Sequence, residues 1–480
     1  MAEELDLGDI QGNILRGYGY KHARHFALAV GDAAAAKAFL AKLVPGKEPR
    51  FPDISTEEEW PEGAKKRKKP KYRLNLGLTC SGLAALDVPA TTVNLFPKAF
   101  QQGPAVRAEA QDADFPEGVG LGDREDSAPA HWMLGGSGNP PVHMLVSLYT
   151  NDAGKTRLEE LSTDLKKLFK DARLEKVKSF DADALPEGRV HFGYRDGIAQ
   201  PNIAGAPGRN RPDMQPEVKP GDFLLGCDYT NLYGGNYLGR IPRDLGDNAS
   251  YAAFRILAQD VGGFEKLLTD WAKAYKLQGG PELVAAKLMG RWRNGTPLTL
   301  SPEDPDPEPP IADELINEFD YAPSERDTTY FDDVRGTRCP IGAHIRRLNP
   351  RSSIVMGQPH GRRLIRRGMA YGPAWNGAKK DKKERGLVGL FVCGDLEAQY
   401  EFIQRVWANM DLATHGIHGT REPIIGAQPT PGGGSFLLRT EGGRDPIVMI
   451  GLPRLVTTRG SLYLFIPGIK GLRYLAGKRT

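Results

Sequence analysis

Three short segments of this 480-residue chain concentrate the residue types that do chemistry. In the segment 192–201, FGYRDGIAQP, Asp196 stands between Arg195 and Gly197 in a glycine-flanked turn. Gly197 permits backbone conformations that other residues resist. A carboxylate held there can accept and return a proton. Its plainer use is an Asx-turn, in which it bonds its own backbone. In the segment 339–351, CPIGAHIRRLNPR, His344 sits among small and apolar residues and precedes Arg346, Arg347 and Arg351. A lone histidine is more often a satisfied core residue than a metal ligand. Beside an arginine set it acquires another use. A neutral imidazole can ligate iron while guanidinium groups pair with carboxylates, and a haem with two propionates needs that donor set. In the segment 364–373, LIRRGMAYGP, Arg366 and Arg367 lie between Ile365 and Gly368. Paired arginines usually face solvent, but an arginine in an apolar pocket supplies fixed positive charge.

Taken together, these segments resemble the dye-decolorizing peroxidase family. GxxDG is present at 193–197, AHIRxxNPR at 343–351 and RRGxxYG at 366–372. Further blocks look like the family's own: DIQGNILRGYG at 9–19, KPGDFLLG at 219–226, QYEFIQRVWAN at 399–409 and VTTRGSLYLFIPGIKGLRYLAG at 456–477. The likeness spans essentially the whole chain, and its length resembles that of the larger, fungal-like branch. It implies an α+β fold of two ferredoxin-like domains with antiparallel sheets and peripheral helices. The domains would cover residues 1–215 and 216–480, with haem b held mainly by the second. Carried over residue by residue, His344 becomes the proximal iron ligand, Asp196 the distal acid–base and Arg366 the distal charge stabiliser. Asn349, Pro350 and Arg351 would run along the haem to a propionate, and Gly197, Ile198 and Ala199 would line its face. The implied activity is reduction of hydrogen peroxide with one-electron oxidation of bulky donors such as dyes and phenolics. Such donors would react at the haem edge or through Tyr371 or Trp375. Family histidines usually bond a carboxylate through the second nitrogen. Glu401 is the expected partner, with Glu397 one turn away. Gly389 stands near a strand position where relatives often carry an aromatic, so a wider distal pocket or a shifted register is expected there.

The elements that must position these segments follow from periodicity. Residues 20–30 and 72–78 read as strands, and 143–150 as a third. Asp32 can cap a helix over 33–44, and 158–172 is strongly amphipathic. The second half repeats the scheme, with helices at 264–275 and 397–409 and strands at 386–392, 435–438, 447–450 and 461–465. Such ordering suits two split βαβ units and a duplication.

Composition bounds the rest. Hydrophobic residues make up 40% and charged residues 26%, which is globular. With 57 glycines and 37 prolines, many turns and long connections are expected. A net charge of +4 on so long a chain argues against a nucleic-acid binder. Cys80, Cys227, Cys339 and Cys393 form no CxxC and read as reduced thiols. The N-terminus lacks an apolar leader, and no apolar stretch is long enough to span a bilayer, so a cytoplasmic protein without membrane partners is expected. Self-association is left open. The basic run KKRKK at 65–69 reads as a solvated loop or a docking patch for an anionic partner. Two rival functions remain: a haem-handling protein without peroxidase turnover, and a non-haem interaction protein using that basic run.

Overall fold

The computed structural model describes residues 4–46, 50–57, 70–115, 118–207, 215–229, 241–312, 315–322, 333–353, 360–377, 381, 383–429, 432–440 and 445–478. The basic run at 65–69 lies outside them. Among the described residues ten strands are present: β1 (His22–Val30), β2 (Tyr72–Leu78), β3 (Met144–Thr150), β4 (Leu174–Asp183), β5 (Ser250–Gln259), β6 (Ile365–Tyr371), β7 (Gly386–Cys393), β8 (Gly434–Leu438), β9 (Ile447–Leu452) and β10 (Val456–Ile466). Eight of them form one antiparallel sheet in the order β4-β1-β3-β2-β10-β5-β7-β6, while β8 and β9 pair separately. The fold is α+β, as expected.

The sheet order carries the duplication. Numbered within the first half, the strands lie 4-1-3-2. With the separate pair β8 and β9 left out of the numbering, β10, β5, β7 and β6 of the second half lie in the same 4-1-3-2 order. Helices Ala33–Leu43 and Thr156–Asp171 make the crossovers of the first half, and Val261–Ala274 connects β5 towards β6 in the second. The two halves join edge to edge where Leu78 of β2 pairs with Phe465 of β10. Helix starts are fixed by side-chain caps: Asp32 accepts from Ala35 N, and Asp260 from Gly263 N.

Alternation along the strands sends side chains to two cores. On β5, Tyr251 and Ala253 join one buried cluster with Tyr463, Phe465 and Leu74. Their neighbours Ala252 and Phe254 join the other, with Leu462, Leu464 and Ile365. Burial on both faces explains why SYAAFRILAQ shows no polar–apolar alternation and escapes a period-two search. The opposite case is β4, LEKVKSFDAD, a charged edge strand that the sequence pattern hides among loop residues. The 397–409 helix forms in two widened turns, Leu396–Glu401 and Ile403–Trp407, rather than as a regular α-helix. Among the described residues, no helix is long and apolar enough to cross a membrane.

One buried ion pair ties a long connection to the sheet. Arg255 of β5 donates to both oxygens of Asp123, at 2.7 and 2.5 Å, and Thr458 Oγ1 donates to Asp123 Oδ1 at 2.7 Å. Both charged side chains are almost fully buried. Removing one partner strands the other charge in the interior, which costs about 3–5 kcal/mol. Asp123→Ala is therefore expected to lower the unfolding free energy by that amount in urea melts. A loss below about 1 kcal/mol would mean that Arg255 is rehydrated or finds another partner.

Candidate active site

His344 opens a five-residue helix, His344–Leu348, with Ala343 as its N-cap residue. Two arginines in that helix fix its position. Arg346 donates to Cys339 O at 2.7 Å, Asp333 O at 2.8 Å and Asp333 Oδ2 at 3.1 Å, and its cation lies 4.3 Å from the Tyr321 ring centre. Arg347 donates to Met410 O at 2.7 Å, Thr420 O at 3.2 Å and the Trp407 carbonyl. Burial pushes the Arg347 pKa down to about 10. Both guanidinium groups are therefore spent on holding the helix. This corrects the expectation that they join Arg351 as an anion-binding set.

The partner of His344 is also corrected. Its Nδ1 lies 2.9 Å from Glu422 Oε1. Glu401, the expected partner, instead pairs with Arg107 and accepts from Tyr463 Oη at 2.9 Å. Glu422 is fully buried in a turn that offers it three backbone amides. Its oxygens accept from Ile424 N at 3.0 and 3.1 Å, from Gly426 N at 3.2 Å and from Ile425 N. Burial by itself raises a carboxyl pKa, but His344 and the amides outweigh it and hold Glu422 below its usual value. Glu422 lies 78 residues from His344 in an irregular loop, so no sequence period marks it. With Nδ1 engaged, Nε2 has no hydrogen-bond partner among the described residues, and the side chain stays partly exposed.

The second group assembles on β6. Gln200 clasps the strand in both directions: its Oε1 accepts from Arg366 N at 3.2 Å, and its Nε2 donates to Arg366 O at 3.1 Å. Arg366 Nη2 donates to Ala199 O at 2.9 Å. The turn before it places Asp196, whose amide donates to Gly188 O at 3.0 Å. Gly197 takes φ +77, the left-handed region, as its type allows. A Cβ on Gly368 would lie 3.8 Å from Asp196 Oδ2, so the carboxylate rests over that glycine, two residues along β6 from Arg366. Asp196 and Arg366 thus sit on one face, from segments 170 residues apart in number. Ile198 packs against Gly295, with Cδ1 2.7 Å from a Cβ built there. Gln200 was not singled out in the sequence, although it lies inside the same motif.

Gly389 neither shifts the register nor leaves a void. It pairs with Gly368 in uninterrupted β6–β7 register. The Phe391 ring folds over it, 2.9 Å from where its Cβ would stand. Asn349 closes the His344 helix, its amide donating to Ile345 O at 3.1 Å, and Pro350 O accepts from Ser353 N at 2.9 Å. Arg351 is buried, with Nη1 donating to Asn317 O at 2.8 Å and Phe319 O at 2.6 Å. Tyr371 Oη donates to Glu384 Oε1 at 3.1 Å at the surface, and Trp375 packs at the margin of a separate cluster.

No protein-family model matches the chain. It is 29% identical over 489 residues to a dye-decolorizing peroxidase from Exidia glandulosa, covering 98% of this chain and 87% of that one. It is 28% identical over 494 residues to a multifunctional dye peroxidase from an Amycolatopsis strain, covering 98% and 96%. Among solved structures, a dye-decolorizing peroxidase with a heme pocket engineered for asymmetric sulfoxidation aligns with a TM-score of 0.77 at 25% identity, covering 98% of this chain and all (100%) of the other. Over nearly its whole length the chain is thus similar to dye-decolorizing peroxidases in both sequence and fold.

Haem is the cofactor that this likeness implies, and the residues present fit it. An open imidazole nitrogen suits an iron. Arg291 and Arg363, both buried, each lie within electrostatic reach of Arg351 and Arg366. Arg291 Nη2 and Arg363 Nη1 are buried without hydrogen-bond partners among the described residues. Burial and then Arg351 push both pKa values down to about 9. Of the two acids alongside, Asp320 is engaged by His360 and Ser352, and burial raises Glu318 to about 7. A dianionic propionate edge would neutralise such a cluster.

The lowered Glu422 pKa has a sign for stability. Its carboxylate contributes fully above the ordinary glutamate value of about 4.3, and the contribution is lost as pH falls through the lower folded value. Glu422→Gln is expected to lower the unfolding free energy by about 1–3 kcal/mol at pH 7. That gap should close below about pH 4. Urea melts at both pH values check this, and a gap that does not change with pH would rule out the ionised carboxylate as its source.

Proposed function

We propose that the protein is a haem b-dependent peroxidase that reduces hydrogen peroxide and oxidises dyes or phenolics in one-electron steps. The observation that carries this reading is His344. Its Nδ1 is held by a buried carboxylate while its Nε2 has no hydrogen-bond partner among the described residues, and the same chain buries guanidinium groups without partners at Arg291 and Arg363. His344 would hold the iron through Nε2. Glu422 fixes the ring's tautomer and orientation, as carboxylate partners of ligating histidines do. Asn349, Pro350 and Arg351 would run along one edge of the group, and Gly197, Ile198 and Ala199 along its other face. The segment 1–215 would thus contribute the Asp196 turn, and 216–480 the iron ligand and Arg366.

When bound, haem supplies the redox chemistry of peroxide reduction and donor oxidation. The chain's own residues manage protons and charge. An Asp196 carboxylate oxygen takes the proton from peroxide and delivers it to the departing oxygen, which leaves as water. Gly368 leaves room for that carboxylate beside β6. Arg366 is held by Ala199 O through Nη2, so the remaining guanidinium edge presents a fixed positive charge to the polarised peroxide. A preorganised charge of this kind is typically worth about 10²–10³ in rate. Bulky donors would react at the cofactor edge or through Tyr371 or Trp375.

Two measurements test the reading. His344→Ala should fold yet lose the haem Soret band, and full haem with an unaltered band in that variant would remove His344 as ligand. Asp196→Asn and Arg366→Leu should each slow the first peroxide-dependent spectral change in stopped flow. Their combined loss should fall short of the product of the single losses, because both act on one step. A wild-type rate in Arg366→Leu would leave Arg366 a structural residue.

A further inference from the structure

The resemblance places Arg351 at a propionate, but Arg351 is largely spent on the protein. Besides its two carbonyl partners, its Nη2 donates to Asn317 Oδ1 at 3.1 Å, and its cation stacks 3.9 Å from the Phe319 ring centre. A group so engaged has little left for a ligand.

Arg363 presents the opposite case. It precedes β6, three residues before Arg366, and its own backbone is held by Gln399 Nε2 donating to Arg363 O at 2.8 Å. Its side chain is buried to 6% exposure. Nη1 has no hydrogen-bond partner, and the guanidinium makes no ion pair among the described residues. Arg351 and Arg366 lie close enough to repel it. Burying an unpaired guanidinium costs several kcal/mol unless an anion meets it. Glu318 is the acid that acts on it most strongly, and burial raises the Glu318 pKa to about 7, so it is only partly ionised near neutral pH. The neighbouring Arg362 is already used, donating to Ala398 O and lying 3.4 Å from the Phe402 ring centre.

We infer that Arg363 is the residue that pairs with a haem propionate, in the place that the resemblance gives to Arg351. This rests on the haem reading above. The arrangement makes the site selective for the free dicarboxylate form of the cofactor. An esterified side chain brings no charge, and it would leave Arg363 buried and unpaired.

The test uses the full chain loaded with haem or with haem dimethyl ester, and follows loss of each to excess apomyoglobin. The wild type should retain haem at least ten times longer than the ester. Arg363→Met and Arg363→Gln should lose haem at least ten times faster than wild type while losing the ester at the wild-type rate. Arg363→Lys, which keeps the charge, should restore most of the preference. A neutral variant that keeps the wild-type ratio of haem to ester retention overturns the inference and leaves the haem reading standing. A wild-type chain that loads neither form overturns both. Should one neutral variant fail to fold, the other carries the same comparison.

Discussion

The interior of this protein holds a carboxylate, Glu422, with no exposure at all, and much of the site depends on how that charge is satisfied. An isolated buried carboxylate is too costly to keep ionised. Three amides from one turn and the Nδ1 of His344 together make it affordable. The consequence runs outward. A satisfied Glu422 fixes the ring of His344, and a fixed ring leaves one nitrogen pointing away from the protein's own hydrogen-bond network. The clamps on Arg346 and Arg347 serve the same end, because a five-residue helix has too few internal bonds to stand alone.

The opposite group of residues is positioned by a different device. A turn has little rigidity of its own, so Asp196 would wander without an anchor. Gln200 supplies one by exchanging two hydrogen bonds with the backbone of Arg366, and Arg366 returns a third to Ala199. The segment that carries Asp196 is thus tied to β6 three and four residues further on, while the Asp196 amide itself is held by Gly188 O. Fixing the cation and the chain beside the acid in this way is the kind of preorganisation that electrostatic catalysis requires.

The sheet beneath both groups is a repeated 4-1-3-2 arrangement. In the second copy, β5 and β10 are covered on both faces, so their residues lie in two cores at once. Such strands resist local opening, and they give β7 and β6 a stable edge on which to build. The site residues from β6 therefore stand at the edge of a rigid sheet rather than on a mobile loop.

The sequence by itself determined the α+β class, most strands and helices, and the three motif segments that hold Asp196, His344 and Arg366. Those signals are local: strand alternation, helix caps, and short blocks of fixed spacing. It mistook Glu401 for the partner of His344, because Glu401 lies on a helix with a readable period while Glu422 lies in a turn without one. It treated Arg346, Arg347 and Arg351 as one anion-binding set, since residue type says nothing of which guanidinium groups the interior consumes. It missed β4 and β5, whose patterns are set by an edge position and by burial on both faces. Tertiary structure alone decided which charges are paired and which are left over. A buried charge is satisfied by whatever the fold brings within about 3 Å, and that neighbourhood is fixed by chain segments far apart in sequence.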